Sequence, residues 1–112
     1  MQTFVETYNQ IEGFHRWPGA PESMAYLANR HRHMFVIRCR YLVEHDDRAI
    51  EINKTQRCIE ATLRELYGIP MELGAMSCEM LAREIIKRDA FGNPCVQVTV
   101  LEDGYGGATL TR

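Results

Sequence analysis

Two long segments with the composition of β-strands restrict the fold of this chain more than any other feature of its sequence. Residues Thr3 to Phe14 mix polar and β-forming side chains, and Arg30 to Val43 is rich in valine, isoleucine, tyrosine and phenylalanine. Both patterns predict strands. Trp17 to Pro21 contains two prolines and a glycine, which interrupt regular structure. Ser23 to Asn29 favours neither helix nor strand, so we expect two strands joined by an irregular connection.

The remaining residues predict two helices followed by two strands. Ile52 to Tyr67 has apolar side chains at helical spacing and ends before a glycine. Ser77 to Arg88 predicts a second helix, with its first residue as the N-cap. Cys95 to Glu102 alternates like a strand, and a glycine-rich turn separates it from a short strand at Ala108 to Thr111. The predicted element order is β-β-α-α-β-β, which belongs to the α+β class.

Length and composition indicate a single domain that spans residues 1–112. The chain is 46% hydrophobic and 25% charged, and its formal net charge of -2 differs from the strongly basic balance of nucleic-acid-binding proteins. No apolar run reaches the roughly 20 residues that span a bilayer, and Met1 to Glu6 does not resemble a secretory signal. We therefore expect no nucleic-acid or membrane partner. A cytoplasmic location is also expected, where the four widely spaced cysteines remain reduced.

Three of the four histidines lie close together in the sequence and form a candidate metal site. His31 and His33 are two positions apart, so their imidazoles point to the same face of a strand. His15, at the end of the preceding strand, supplies a third nitrogen if the two strands pair. Three imidazoles with an open fourth position are typical of catalytic zinc. The alternative is that the His-x-His pair is a polar surface feature without a metal.

Four segments resemble motifs of the 6-pyruvoyl-tetrahydropterin synthase and 6-carboxy-tetrahydropterin synthase family. They are Phe14-His15-Arg16-Trp17-Pro18, Arg30-His31-Arg32-His33-Met34-Phe35, Met76-Ser77-Cys78-Glu79-Met80-Leu81-Ala82 and Val98-Thr99-Val100-Leu101-Glu102-Asp103. The resemblance implies the tunnelling fold, an antiparallel four-stranded sheet with two helices on one face. It also implies an oligomeric barrel, a homotrimer or hexamer with ligand pockets between subunits. The zinc ligands of the family correspond to His15, His31 and His33.

The same resemblance implies a pocket for a pterin or a related purine-derived molecule. The glutamate that anchors the pterin in the family corresponds to Glu102. A carboxylate suits this role because it accepts two parallel N–H groups of the pyrimidine ring. Ser77, Cys78 and Glu79, at the start of the second helix, are further candidate binding residues. The alternatives are that Glu102 is a solvated strand-end charge and that Glu79 is only a favourable acid in a first helical turn.

The chain departs from the family at the positions that transfer protons. Leu27 stands where the family has a cysteine, and Leu63 to Tyr67 lacks the Asp-His pair of the family. General acid–base catalysis needs a titratable group within reach of the proton that moves. Glu22, Glu65 and Cys78 are candidate substitutes, and structural or solvated roles are the alternative for each.

Three hypotheses about function follow from these features. The first is a zinc-dependent, pterin synthase-like lyase that acts on a phosphate-bearing pterin or purine-derived substrate with altered acid–base residues. The second is a non-catalytic protein that binds a pterin, a guanine or a nucleotide in the same pocket. The third is an oligomeric structural module that has kept the fold alone.

Overall fold

The computed structural model describes the whole chain, residues 1–112. Its strands are β1 (Thr3–His15), β2 (His31–Val43), β3 (Met71–Glu72), β4 (Gln97–Glu102) and β5 (Gly106–Thr111). Its α-helices are α1 (Ile52–Tyr67) and α2 (Cys78–Lys87), and short 3-10 helices cover Glu22–Ala28 and Asp89–Phe91. Neither α-helix is long and apolar enough to cross a membrane. The predicted α+β class is therefore confirmed.

The long β1–β2 ladder organises the sheet. The two strands pair antiparallel along their whole length, from Thr3 opposite Val43 to His15 opposite His31. Strand β4 pairs with the other edge of β2, and β5 pairs with β4, both antiparallel. Because residues directly opposite one another in a ladder face the same side, the register determines which side chains meet at the end of the sheet.

The prediction of four antiparallel strands is wrong in strand number and order. The sheet has five strands in the order β3-β1-β2-β4-β5, and β3 runs parallel to β1. Strand β3 forms after α1, where Met71 pairs with Gly13 and the amide of Leu73 donates to the carbonyl of Phe14 at 2.9 Å. A strand of two residues is too short to show alternation, so the sequence pattern does not reveal it. The sheet of a single chain is mixed and open, with β3 and β5 at its edges.

The helices cover one face of the sheet and form the core with it. Helix α1 packs on β1, and α2 packs on β4 and β5. Burying each large aliphatic or aromatic side chain there stabilises the fold by about 1.5–3 kcal/mol. The fully buried core side chains from strands and helices are Phe35, Ile37, Tyr41, Ile59, Leu63, Met71, Leu81, Ala82, Ile85, Val98 and Val100.

Both α-helices begin at a side-chain cap. The Ser77 hydroxyl accepts from the amide of Met80 at 3.1 Å, as the sequence predicts for an N-cap residue. The cap of α1 was not predicted: Glu51 accepts from the amides of Asn53 and Lys54 at 3.2 and 2.6 Å. Hydrogen bonds from these two amides lower the pKa of the Glu51 carboxyl. The caps set the starting points of the helices, and that of α2 lies at the end of the sheet where the histidines meet.

Candidate metal centre and its cavity

Strand pairing brings the three histidines together at one end of the sheet. His15 lies directly opposite His31, and His33 is two residues further along β2 on the same face. The ring centroids are 4.6 Å apart for His15 and His31, 5.2 Å for His15 and His33, and 5.0 Å for His31 and His33. One nitrogen from each ring lies within 4.8 Å of the others. The cluster is therefore compact enough to hold one metal ion.

Hydrogen bonds define the tautomer of each histidine. The Nδ1 atom of His15 is 2.9 Å from the carbonyl of Met76, and that of His31 is 2.8 Å from the carbonyl of Asn29. The Nδ1 atom of His33 is 2.7 Å from a carboxylate oxygen of Asp103. A carbonyl or a carboxylate oxygen only accepts, so each Nδ1 carries the proton and donates it. In its neutral form, each ring then presents the lone pair of Nε2 to its neighbours.

The Nε2 atoms of His15 and His33 are buried, and neither makes a well-aligned hydrogen bond. The carboxylate of Glu102 is near both, with Oε2 at 2.9 Å from His15 and 3.7 Å from His33. Buried polar atoms in proteins are nearly always hydrogen-bonded, and an unpaired one costs about 1–3 kcal/mol. Three imidazole lone pairs that face one another suit a divalent cation, and zinc is commonly bound by this donor set. The residues therefore fit a metal ion, held through the Nε2 atoms of His15, His31 and His33.

Asp103 belongs to the site although the sequence motifs do not indicate it. One of its oxygens accepts from His33, and the other accepts from the amide of Met34 at 2.8 Å. Hydrogen bonds from the His33 ring and the Met34 amide lower the pKa of Asp103. A carboxylate that holds the outer nitrogen of a metal-binding histidine is a recurrent partner of zinc sites. In the sequence, the only indication of this role is that Asp103 is an acidic residue directly after Glu102.

Phe35 supports the histidines from the core side. Its ring centroid lies 5.1 Å from that of His15 and 5.7 Å from that of His33, edge to face in both cases. Gly13 leaves space for this ring, because a Cβ atom at that position would lie 3.1 Å from Phe35 and 3.2 Å from the Cβ of Met71. The core and the site are thus in direct contact at this point.

A cavity of about 500 Å³ opens beside the histidines. Its size falls in the usual range for small-molecule sites. The predicted binding residues Ser77, Cys78, Glu79 and Glu102 all line it. Its other lining residues are His15, Arg16, Trp17, Leu27, His31, Ala75, Met76, Met80, Gly106 and Gly107.

Glu102 lies close to the Nε2 atoms of two of these histidines. Its Oε2 atom is 2.9 Å from Nε2 of His15 and 3.7 Å from Nε2 of His33. The side chain is 36% exposed, so it lies between the histidine cluster and the open cavity. Glu102 therefore has access both to the ring nitrogens of the candidate metal centre and to any molecule in the cavity.

The candidate proton-transfer residues differ in position. Glu22, on the first 3-10 helix, and Glu65, on α1, are exposed and do not line the cavity of this chain. Leu27, at the position of the family cysteine, does line it and contributes an apolar side chain. Cys78 also lines the cavity, where burial and the nearby carboxylates of Glu102 and Glu79 raise its pKa to about 12. At neutral pH this side chain is a thiol, which can donate a proton but is not a ready nucleophile.

Comparison with known proteins supports the fold. The structure resembles that of 6-pyruvoyl tetrahydropterin synthase from Caenorhabditis elegans, with a TM-score of 0.69 and 14% sequence identity. The match covers 100% of this chain and 96% of the other. At this identity the likeness shows the fold alone, and it agrees with the fold that the sequence motifs imply. No protein-family model and no curated protein sequence matches the chain.

Proposed function

We propose that this chain is a zinc-dependent protein of the pterin synthase type that acts on a pterin or a related purine-derived substrate. The observation that carries the proposal is the set of three Nδ1-protonated histidines whose Nε2 atoms converge beside a cavity of about 500 Å³. Three imidazoles beside a cavity, two of which (His15 and His31) line it, are typical of catalytic zinc rather than of a closed structural site. The fold shared with a pterin synthase supports the choice of ligand class.

The predicted site residues each have a role in this proposal. His15, His31 and His33 would hold the zinc ion, which would supply a Lewis acid for an oxygen of the substrate. Glu102 accepts the two parallel N–H groups of the heterocycle and sets its orientation. Ser77 and Glu79 contact the ligand at the first turn of α2, although the Ser77 hydroxyl already accepts from the amide of Met80. Of the three candidate proton-transfer residues, Cys78 is the one that lines the cavity, and as a neutral thiol it would donate a proton.

The assembled form is part of the proposal. The single chain leaves β3 and β5 as open sheet edges, and exposed edges require covering. Gly106 and Gly107, on the edge strand β5, line the cavity, so a neighbouring chain on that edge would lie against it. We therefore expect a homotrimer or a hexamer. A monomer in sedimentation equilibrium at micromolar concentration would contradict this part.

The decisive experiment measures metal, ligand binding and turnover on the same preparation. The protein purified with zinc should contain close to one ion per chain, and it should convert dihydroneopterin triphosphate. The variant His31→Ala should lose the zinc, while His45→Ala, which changes an exposed histidine in a turn, should keep it. Equal zinc content in both variants would refute the metal site.

A non-catalytic binding protein is the second candidate. The apolar Leu27 and the raised pKa of Cys78 favour it, because both reduce the proton-transfer capacity of the cavity. In this case the zinc-loaded protein binds a pterin in calorimetry but converts no pterin phosphate. Turnover at any rate that depends on His31 would exclude this candidate.

A further inference from the structure

Trp17 is the single tryptophan of the chain, and its side chain lies outside the core. It is 49% exposed, although burial of so large an aromatic side chain is among the strongest contributions to folding. It lines the cavity beside the histidines together with Leu27 and the exposed Met80. These three side chains give a concave site an apolar wall, which distinguishes Trp17 from an apolar residue that is exposed singly on an open surface.

Hydrogen bonds hold the backbone around Trp17 in place. Its amide donates to the carbonyl of Leu27 at 2.8 Å, and its carbonyl accepts from the amide of Ala20 at 3.0 Å. The preceding amide, that of Arg16, donates to the carbonyl of Gly74 at 2.9 Å. The indole is therefore presented from a defined backbone, so a ligand that contacts it does not first have to order a loose loop.

The apolar wall complements the polar group that Glu102 contributes to the same cavity. A planar heterocycle carries its N–H groups at the edge of the ring and presents two apolar faces. The carboxylate of Glu102 can accept from the edge, but it leaves the faces in water. An aromatic side chain covers a face, because offset stacking removes both surfaces from water and adds a favourable electrostatic contact. An acyclic ligand has no face of this kind.

We propose that Trp17 stacks on one face of the heterocycle that binds in the cavity, and that the site thereby selects flat aromatic ligands. The inference rests on the proposed function for the class of ligand, and it adds a contact that the histidines and Glu102 do not supply. Trp17 is a binding residue in this proposal and orients the plane of the ring. Glu102 then sets the direction of the ring within that plane.

Calorimetry with neopterin, an unphosphorylated pterin, tests the proposal on four full-length proteins: wild type, Trp17→Leu, Trp17→Phe and Tyr26→Leu. Tyr26 is the matched control, because it is 66% exposed on the adjoining 3-10 helix and does not line the cavity. Trp17→Leu should weaken binding by about 10-fold or more, as loss of a stacked aromatic side chain does in proteins that bind bases. Tyr26→Leu should change the affinity by less than about 3-fold.

The phenylalanine variant separates stacking from simple apolar contact. Trp17→Phe keeps an aromatic ring and should recover much of the affinity that Trp17→Leu loses. Equal affinities for wild type and Trp17→Leu would overturn the proposal. Equally weak binding by the leucine and phenylalanine variants would overturn it too, because an aromatic face would then have no advantage over an aliphatic side chain.

Fluorine NMR gives a direct readout of the contact. Protein labelled with 5-fluorotryptophan has one fluorine resonance, because the chain has one tryptophan. Neopterin should move this resonance upfield through the ring current of the stacked heterocycle, and the titration should saturate with the dissociation constant from calorimetry. A resonance that does not move at saturating neopterin would refute the stacking.

The outcomes separate this inference from the proposed function. If the folded wild type binds no neopterin, the ligand class of the proposed function is wrong, and the stacking inference falls with it. If wild type binds neopterin, Glu102→Ala loses the binding and Trp17→Leu retains it, the ligand class stands and only the stacking is wrong.

Two further measurements on Trp17→Leu exclude an indirect effect. Trp17 is two residues from His15, so the variant should contain as much zinc as wild type does. It should also sediment as wild type does. A loss of zinc would show that Trp17 supports the metal centre, and a changed assembly would show that the indole lies between chains. Either result would overturn the proposed contact with the ligand.

Discussion

The side of β1 and β2 that faces the helices differs in side-chain composition between its middle and its end. In the middle, Ile11, Ile37 and Tyr41 are buried against the helices. At the end, the same face carries His15, His31 and His33, of which His15 and His31 line the cavity. The backbone geometry is the same in both regions, since one ladder runs without interruption through them.

One pair of strands can therefore contribute to stability in one region and to binding in another. The apolar middle removes side chains from water and supplies the free energy of folding. The histidine end instead places ring nitrogens beside the cavity and the carboxylate of Glu102. Polar groups that converge on a cavity suit ligand binding better than core packing. The two regions should therefore respond differently to substitution.

The largest effect is expected in the apolar middle. Replacing Ile37, which is fully buried, by alanine should lower the free energy of unfolding by about 2–5 kcal/mol through lost burial and a residual cavity. The folded fraction should retain its affinity for zinc. Urea denaturation of the metal-free protein provides the measurement. Leu42→Ala, on the opposite face of the same strand, should cost at most about 1 kcal/mol, and an equal loss in both variants would contradict the packing described here.

The second effect belongs to the histidine end. His33→Ala should weaken zinc binding by about 100-fold or more, because it removes one ligand of the set. The free energy of unfolding of the metal-free protein should fall by about 1 kcal/mol, less than for Ile37→Ala, because the variant loses only the hydrogen bond from Nδ1 to the partly exposed Asp103. Competition with a chromophoric chelator measures the affinity. His45→Ala is the control and should leave the zinc affinity unchanged. A loss of stability in His33→Ala as large as that in Ile37→Ala would show that the two regions contribute equally to folding.

The boundary between the two regions lies at Gly13. Alanine there would press on Phe35 and Met71 and should destabilise the protein by about 1–3 kcal/mol. Because Phe35 packs on His15 and His33, the variant should also weaken zinc binding. Thermal unfolding and zinc titration of the same sample test both effects. Gly19→Ala, where the added carbon meets only ordinary contacts, should change neither the stability nor the zinc affinity. A Gly13→Ala protein with wild-type zinc affinity would show that the packing of Phe35 does not affect the histidines.

The smallest effect is expected at Asp103. Asparagine keeps an oxygen that accepts from Nδ1 of His33 but removes the negative charge, so zinc affinity should fall by about 10-fold. Asp103→Ala should weaken binding further because the ring loses its orienting partner. Both values come from the same chelator competition. Identical affinities for wild type, Asp103→Asn and Asp103→Ala would show that the position of His33 depends on packing alone.

Sequence patterning predicted the regular elements that are long enough to show periodicity. The two long strands, the helix Ile52–Tyr67 and the capped start of α2 all agree with the structure. The pattern missed β3, which has only two residues, and it did not assign the 3-10 helix at Glu22–Ala28. Elements of this length form through contacts with the rest of the fold rather than through their own periodicity.

The site was predictable only in part for the same reason. The spacing of His31 and His33 placed two imidazoles on one face, and this needed nothing beyond the geometry of a strand. The carbonyl of Met76 and the carboxylate of Asp103 determine which nitrogens are free, and they lie 61 and 70 residues from the histidines they contact. No local pattern connects such distant positions.

Alternation and helical periodicity are local properties of the chain, so the α+β class, the two long strands and the shared face of His31 and His33 could be predicted from the residues alone. The position of His15 opposite His31, the approach of Glu102 to His15 and His33, and the short parallel strand at the edge of the sheet appear only in the folded chain. These features depend on register and on packing between distant segments. Their free energy comes from contacts that exist only once the whole chain has folded.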